Sequence, residues 1–204
     1  VQGPGAAVDG FADLLRGTAR PPMRIDERGV EAVDVVPGEG CFAIEPSVDS
    51  AGAASLLPAD LTTCPDCIEE TLRLPGRRRG YAFTNCTACG PRYTIVREVP
   101  YDRPATTMAA FPLCTDCRRE YEDPLDRRYH AEPIACPGCG PRLRLRDPRG
   151  DLIAADDPVA TAAAALRDGR IVALKGIGGF LLACDASRED SVGRLRERKR
   201  RGNK

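Results

Sequence analysis

The chain has 204 residues, with thirty basic and thirty acidic side chains and no tryptophan. The length suggests one or two domains, and small metal-held pieces can raise that count; the cancelling charge argues against a dedicated nucleic-acid binder. No stretch reaches the roughly 18 consecutive apolar residues of a membrane helix, and no basic segment followed by an apolar core opens the chain, so a soluble, cytosolic protein is expected.

In chain order, Val8, Phe11, Leu14 and Leu15 recur at helical spacing between Asp9 and Gly17, which predicts a short amphipathic helix ended by Pro21 and Pro22. Apolar residues then alternate in Ile25 to Arg28, Val33 to Val36 and Phe42 to Ile44, predicting short strands around a turn at Pro37-Gly38-Glu39-Gly40. One helix and two or three short strands bury too little surface to stand alone. The segment therefore reads as the back half of a small α/β domain, and Ser47 to Ala59, rich in small residues, reads as a linker.

Eight of the ten cysteines form four C-x2-C pairs: Cys64 and Cys67, Cys86 and Cys89, Cys114 and Cys117, Cys136 and Cys139. Eighteen residues separate Cys67 from Cys86, and eighteen again separate Cys117 from Cys136. The flanks repeat as well: Cys64-Pro65-Asp66-Cys67 answers Cys114-Thr115-Asp116-Cys117, and Cys89-Gly90-Pro91-Arg92 answers Cys139-Gly140-Pro141-Arg142, at an offset of 50 residues. One supersecondary unit has been duplicated. In a reducing compartment such pairs favour metal over disulfides. Two residues between cysteines let one turn aim both sulfurs at a single ion, and four thiolates complete a closed, structural zinc site. Gly90 and Gly140 are expected to supply a positive backbone dihedral after each knuckle. A four-thiolate iron–sulfur cluster is the alternative occupant. The repeat favours local quartets, although an interleaved fold could join the outermost pairs. Cys41 and Cys184 lie outside the pattern and are expected to be buried in strands. His130, the sole histidine, reads as a surface or hydrogen-bonded residue with a functional role as the alternative.

After the cysteines, Asp157 as N-cap, Pro158 at the first helical position and Gly169 past the last turn predict a helix over about 158–168. A strand at Ile171 to Leu174 leads into Lys175-Gly176-Ile177-Gly178-Gly179 and a second apolar run, Phe180 to Ala183. That turn serves either a tight bend or the close approach of a phosphate or carboxylate with Lys175 supplying charge. Ser187 and Asp190 have capping-box spacing ahead of another helix. From Arg194 to Lys204 the chain holds seven basic residues and one acidic one, a solvated basic face or a polyphosphate or nucleic-acid site.

Together these features resemble the HypF family, the carbamoyltransferases of [NiFe]-hydrogenase maturation. The resemblance is carried by the doubled C-x2-C-x18-C-x2-C unit with 24 residues between its copies, by Asn85-Cys86-Thr87-Ala88-Cys89-Gly90-Pro91-Arg92, by Arg128-Tyr129-His130-Ala131-Glu132, and by Lys175-Gly176-Ile177-Gly178-Gly179-Phe180 with Cys184-Asp185-Ala186. It implies an α+β, zinc-stabilised multi-domain chain: tandem four-cysteine zinc-finger-like units flanked by partial α/β domains. The implied order is the end of an acylphosphatase-like domain over 1–46, a linker over 47–60, a first unit over 61–95, a connector over 96–110, a second unit over 111–146 and the start of a YrdC-like domain over 147–204.

In that family the first domain hydrolyses carbamoyl phosphate, with an anion-cradling loop that would lie before Val1. The YrdC-like domain uses ATP with Mg2+ to make carbamoyl adenylate, and the carbamoyl group passes to the C-terminal cysteine of a HypE partner. Lys199, Arg201 and Lys204 fit the family's K-x-R-x-x-K/N phosphate-contacting pattern, beside Lys175, Gly178 and Gly179. The resemblance implies two structural zinc ions, no catalytic residue within the chain, no membrane partner and an internal fragment inactive alone. The rival readings are a zinc-ribbon module binding nucleic acid through its basic C-terminal helix, and a redox chaperone that ejects zinc on oxidation.

Overall fold

A computed structural model describes residues 1–18, 25, 29, 31–38, 40, 57–176 and 179–200. The chain divides into two units, Val1–Gly140 and Pro141–Lys204.

Helix α1 spans Gly5–Thr18 in the first unit. Its Phe11 and Leu14 are exposed, as are Val33, Val35 and Val36. The alternation at Val33 to Val36 predicts a strand, but these residues form none; Val36 instead exchanges two hydrogen bonds with the Gln2 side chain, at 2.9 and 3.1 Å. Alternation makes a strand only where a neighbouring strand accepts its ladder. Gly38 supplies the expected turn with φ +89°. Pro21, Pro22, the run from Phe42 to Ile44, Cys41 and most of the expected linker lie outside the described residues.

The two cysteine repeats share one local plan. Helix α2, Pro65–Leu72, and helix α3, Thr115–Glu122, each begin directly after the first cysteine of a repeat, with an aspartate in the first turn (Asp66, Asp116) where a helix N-terminus favours negative charge. A tight turn follows each helix and is pinned back onto it, Gly80 N–H to the Thr71 carbonyl at 2.7 Å and His130 N–H to the Tyr121 carbonyl at 3.0 Å. Gly80 and His130 are equivalent at the 50-residue offset, and both adopt positive φ, +74° and +49°. The first repeat is closed by an antiparallel bridge between Leu61 and Gly90.

The segment between the repeats makes two 3-10 turns, Arg103–Ala105 and Thr107–Ala110. Met108 packs with Tyr81, Ile95 and Ala135 into the apolar cluster that both repeats share, flanked by Tyr101 and Phe111. Buried Arg103 donates to the carbonyls of Glu132, Ile134 and Phe111, at 2.5, 2.9 and 2.7 Å, tying the connector to the second repeat.

The second unit opens with a small hairpin, β1 (Leu145–Arg146) against β2 (Leu152–Ile153). Helix α4, Pro158–Arg167, starts as the cap chemistry predicts: the Asp157 carboxylate accepts from Val159 N–H and Ala160 N–H, both at 2.9 Å. Strands β3 (Val172–Gly176) and β4 (Gly179–Ala183) form an antiparallel hairpin in which Lys175 faces Phe180. Helix α5, Glu189–Lys199, docks against the turn after α4 through Ser191 Oγ and Arg194, which donate to the Gly169 carbonyl at 3.1 and 2.5 Å.

Two expectations fail in this unit. Ser187 does not cap α5, because the Asp185 carboxylate captures its N–H and hydroxyl at 2.9 and 2.6 Å, and the cap position falls to Arg188. Cys184 lies just past the end of β4 and is half-buried rather than buried in a strand. No helix among the described residues is long and apolar enough to cross a membrane.

Candidate metal centres

Duplication places the eight paired cysteines in two local clusters. The sulfurs of Cys64, Cys67, Cys86 and Cys89 lie within 4.8 Å of one another, and so do those of Cys114, Cys117, Cys136 and Cys139. Sulfur separations include 3.7 Å (Cys64 to Cys86) and 3.8 Å (Cys86 to Cys89) in the first cluster. In the second they include 3.8 Å (Cys114 to Cys136), 3.7 Å (Cys136 to Cys139) and 3.6 Å (Cys117 to Cys139).

A regular tetrahedron with zinc–sulfur bonds of about 2.3 Å has edges of roughly 3.8 Å. The separations fit one ion per quartet and leave no room for a cluster of several iron atoms. They are also far longer than the roughly 2.05 Å of a disulfide.

The hydrogen bond between Cys67 and Cys86 raises the first and lowers the second, with burial adding to the rise of Cys67. Burial pushes the Cys117 thiol up to about 12 despite donation from Arg77. Four thiolates brought this close repel one another unless a divalent ion supplies compensating charge.

Gly90 has φ +97°, as expected, and a Cβ there would approach the Asn85 Cβ to 2.8 Å. Gly140 departs from the expectation, since it is not among the glycines with positive φ. It is required by space instead: an added Cβ would lie 2.3 Å from the Tyr81 hydroxyl and 2.4 Å from the Ala135 Cβ.

Sequence reasoning missed the residues around the quartets. Arg77 and Arg78, in the turn of the first repeat, reach the second: Arg77 donates to Cys117 Sγ at 2.9 Å, and Arg78 to the same sulfur at 3.4 Å and to the Ala135 carbonyl at 2.8 Å. Both pair with Glu120 of α3, at 2.6 and 2.5 Å. The equivalents at +50, Arg127 and Arg128, reach back: Arg127 donates to Cys67 Sγ at 3.2 Å and Arg128 to the Asn85 carbonyl at 3.0 Å. Both also pair with Glu70 of α2.

Burial alone would raise the Glu120 carboxyl, but Arg78 and Arg77 outweigh it and hold the group down at about 2. Glu70 is lowered in the same way by Arg128 and Arg127 against its burial. The available signal was the 50-residue repeat itself, which carries Glu70 onto Glu120 and Arg77-Arg78 onto Arg127-Arg128.

His130 belongs to neither quartet. It is exposed, with its ring 4.8 Å from that of Tyr121 and 4.6 Å from that of Tyr129. Among the expected nucleotide contacts, Lys175 and Gly179 sit at the turn end of the β3–β4 hairpin, where the Lys175 ammonium lies 5.3 Å from the Phe180 ring centroid. Lys199 ends α5. Gly178, Arg201 and Lys204 lie outside the described residues.

The HypF finger family matches the chain twice, over residues 63–96 and 113–146, and a family described as telomere recombination, Sua5–YciO–YrdC, matches residues 164–204. The carbamoyltransferase HypF of Rhodobacter capsulatus is 54% identical over 193 residues, 94% of this chain and 25% of that protein. A crystal structure of HypF from T. kodakarensis superposes with a TM-score of 0.85 at 43% identity, over 100% of this chain and 25% of that one. This chain belongs to the HypF family.

A second HypF structure, full-length and described as phosphate- and nucleotide-bound, superposes with a TM-score of 0.84 at 39% identity, over 99% of this chain and 26% of that one. The chain thus spans about a quarter of the length of the HypF proteins it matches. The finger match and the two four-cysteine clusters together support zinc binding.

Proposed function

We propose that these residues form the finger-bearing part of a carbamoyltransferase that makes carbamoyl adenylate from carbamoyl phosphate and ATP and passes the carbamoyl group to the C-terminal cysteine of a HypE-type acceptor. The observation that carries this reading is the pair of quartets at a 50-residue offset, within a likeness to HypF that runs along the whole chain. Cys64, Cys67, Cys86 and Cys89 hold one zinc ion, and Cys114, Cys117, Cys136 and Cys139 hold the other. Four thiolates leave no open coordination position, so both ions are structural.

In this reading 1–46 closes an acylphosphatase-like domain, 47–60 links it to the fingers, and 147–204 opens a YrdC-like domain. Carbamate freed from carbamoyl phosphate is adenylated by ATP with release of pyrophosphate. Lys199, Arg201 and Lys204, with Lys175 at the hairpin turn, stabilise charge on the nucleotide phosphates. The fingers carry no chemistry and hold the flanking domains.

Two measurements test this. Metal analysis of the chain purified without added metal should find two zinc ions, and one or none would undo the metal assignment. Carbamoyl phosphate should drive pyrophosphate release from ATP in the longer protein that contains this chain, falling when Lys199 or Arg201 is changed to alanine. The 204 residues alone should give none; turnover by them would refute the assignment of catalysis to other segments.

A further inference from the structure

If each quartet holds zinc, as the metal assignment above has it, two strongly anionic centres must persist within one small unit. A divalent ion with four thiolates carries a net charge of −2. The cationic donors that offset it come from the opposite repeat in each case: Arg77 and Arg78 donate to Cys117, and Arg127 donates to Cys67. Glu120 and Glu70 fix the direction of these arginines, each carboxylate holding the pair that arrives from the other repeat.

Chain connectivity makes this reciprocal. Arg77 and Arg78 lie between Cys67 and Cys86, the two halves of their own quartet, and Arg127 and Arg128 lie between Cys117 and Cys136. An ion in the first quartet fixes both ends of the segment that carries Arg77 and Arg78 to the second quartet. An ion in the second quartet does the same for Arg127 on the first.

We propose that the two metal sites are coupled, each ion organising the arginine turn that neutralises the thiolates of the other site, so that the second ion binds more tightly than the first. Linkage requires the coupling to be equal in both directions. Outer-shell partners typically change metal affinity by about 10–100-fold, which sets the expected size of the effect.

The test replaces both ions with cadmium-113 in the full 204-residue chain and follows the two resonances, each assigned through its cysteine β-protons. Arg77 and Arg127 are the variants of choice, because their side chains are 29% and 33% exposed and their removal does not empty the core. Arg77→Met should shift the resonance of the ion on Cys114, Cys117, Cys136 and Cys139 and make that ion leave first to a chelator, about tenfold faster than in the parent chain. Arg127→Met should do the same to the other ion. Arg77→Lys, which keeps the charge, should give a smaller change on the same site as Arg77→Met.

An effect confined to the variant's own repeat, or none on either ion, would overturn the coupling and leave the metal assignment intact. Failure of the parent chain to hold two cadmium ions would overturn the metal assignment itself.

Discussion

Replacing Arg78 by methionine tests whether the charges between the repeats hold the fold. The Arg78 side chain is 1% exposed. It donates through Nε to the buried Ala135 carbonyl at 2.8 Å and through its two terminal nitrogens to Glu120 at 3.2 and 2.5 Å. Methionine fills the space of the aliphatic stem, so the loss is mainly polar. An orphaned buried carbonyl costs about 1–3 kcal/mol. Breaking a buried ion pair from one side costs about 3–5 kcal/mol, discounted here because Glu120 keeps Arg77 at 2.6 Å. The combined loss should be about 3–5 kcal/mol. Urea unfolding at neutral pH with zinc present, followed by far-ultraviolet circular dichroism, measures it as a fall in midpoint at constant slope. Arg119→Met is the control: its pair with Asp116 is 3.1 Å long but Arg119 is 75% exposed, so it should cost no more than about 1 kcal/mol. An Arg78 variant that loses no more than the Arg119 variant would refute the reasoning.

Gly140→Ala should destabilise the fingers by about 1–3 kcal/mol, because the new methyl meets Tyr81 and Ala135 in the core. Gly138→Ala, whose nearest neighbour would be Cys136 Sγ at 3.6 Å, should change little in the same denaturation experiment. Burial raises the Glu132 carboxyl above its ordinary 4.5, despite donation from the Tyr121 hydroxyl. The group therefore favours folding below its unfolded value, and this contribution is lost as pH rises through the folded one, so Glu132→Gln should gain on the parent as pH rises above the ordinary carboxylate value; an advantage that shrinks with rising pH contradicts this. Asp157→Ala removes the double acceptance that starts α4 and should lower thermal stability by about 1 kcal/mol, with Asp157→Ser recovering most of it.

Much of this structure was legible where the deciding chemistry is local. Asp157, Pro158 and Gly169 mark the ends of α4 in the sequence, and all three act as expected, Gly169 with φ +76°. Cysteine spacing likewise foretold the two sulfur clusters. Reading failed where a neighbour outside the window decided the outcome. Val33 to Val36 alternate but form no strand among the described residues, and Ser187 does not cap α5 because Asp185, two residues earlier, captures its N–H and hydroxyl. The arginine-rich turns drew no reading, because nothing in Gly76-Arg77-Arg78-Arg79-Gly80 reveals a glutamate and a thiolate about 40 residues away. Only a comparison of the two repeats, residue by residue, would have singled them out.

The exchange of arginines between the repeats has the contact pattern of a two-fold dimer written into one polypeptide. Position 77 meets position 117 and position 127 meets position 67, so each contact has its mirror after a shift of 50 residues. A self-complementary surface of this kind is what two identical copies use to bind one another. A lone first repeat would keep Arg78 beside Glu70 at 3.6 Å but lose the shorter pairs and the thiolate contacts, and two lone repeats would satisfy each other. The duplication therefore retains the logic of an assembly. Covalent linkage replaces an encounter between two molecules with a fixed local concentration, and it frees the halves to diverge, as Gly80 and His130 have done.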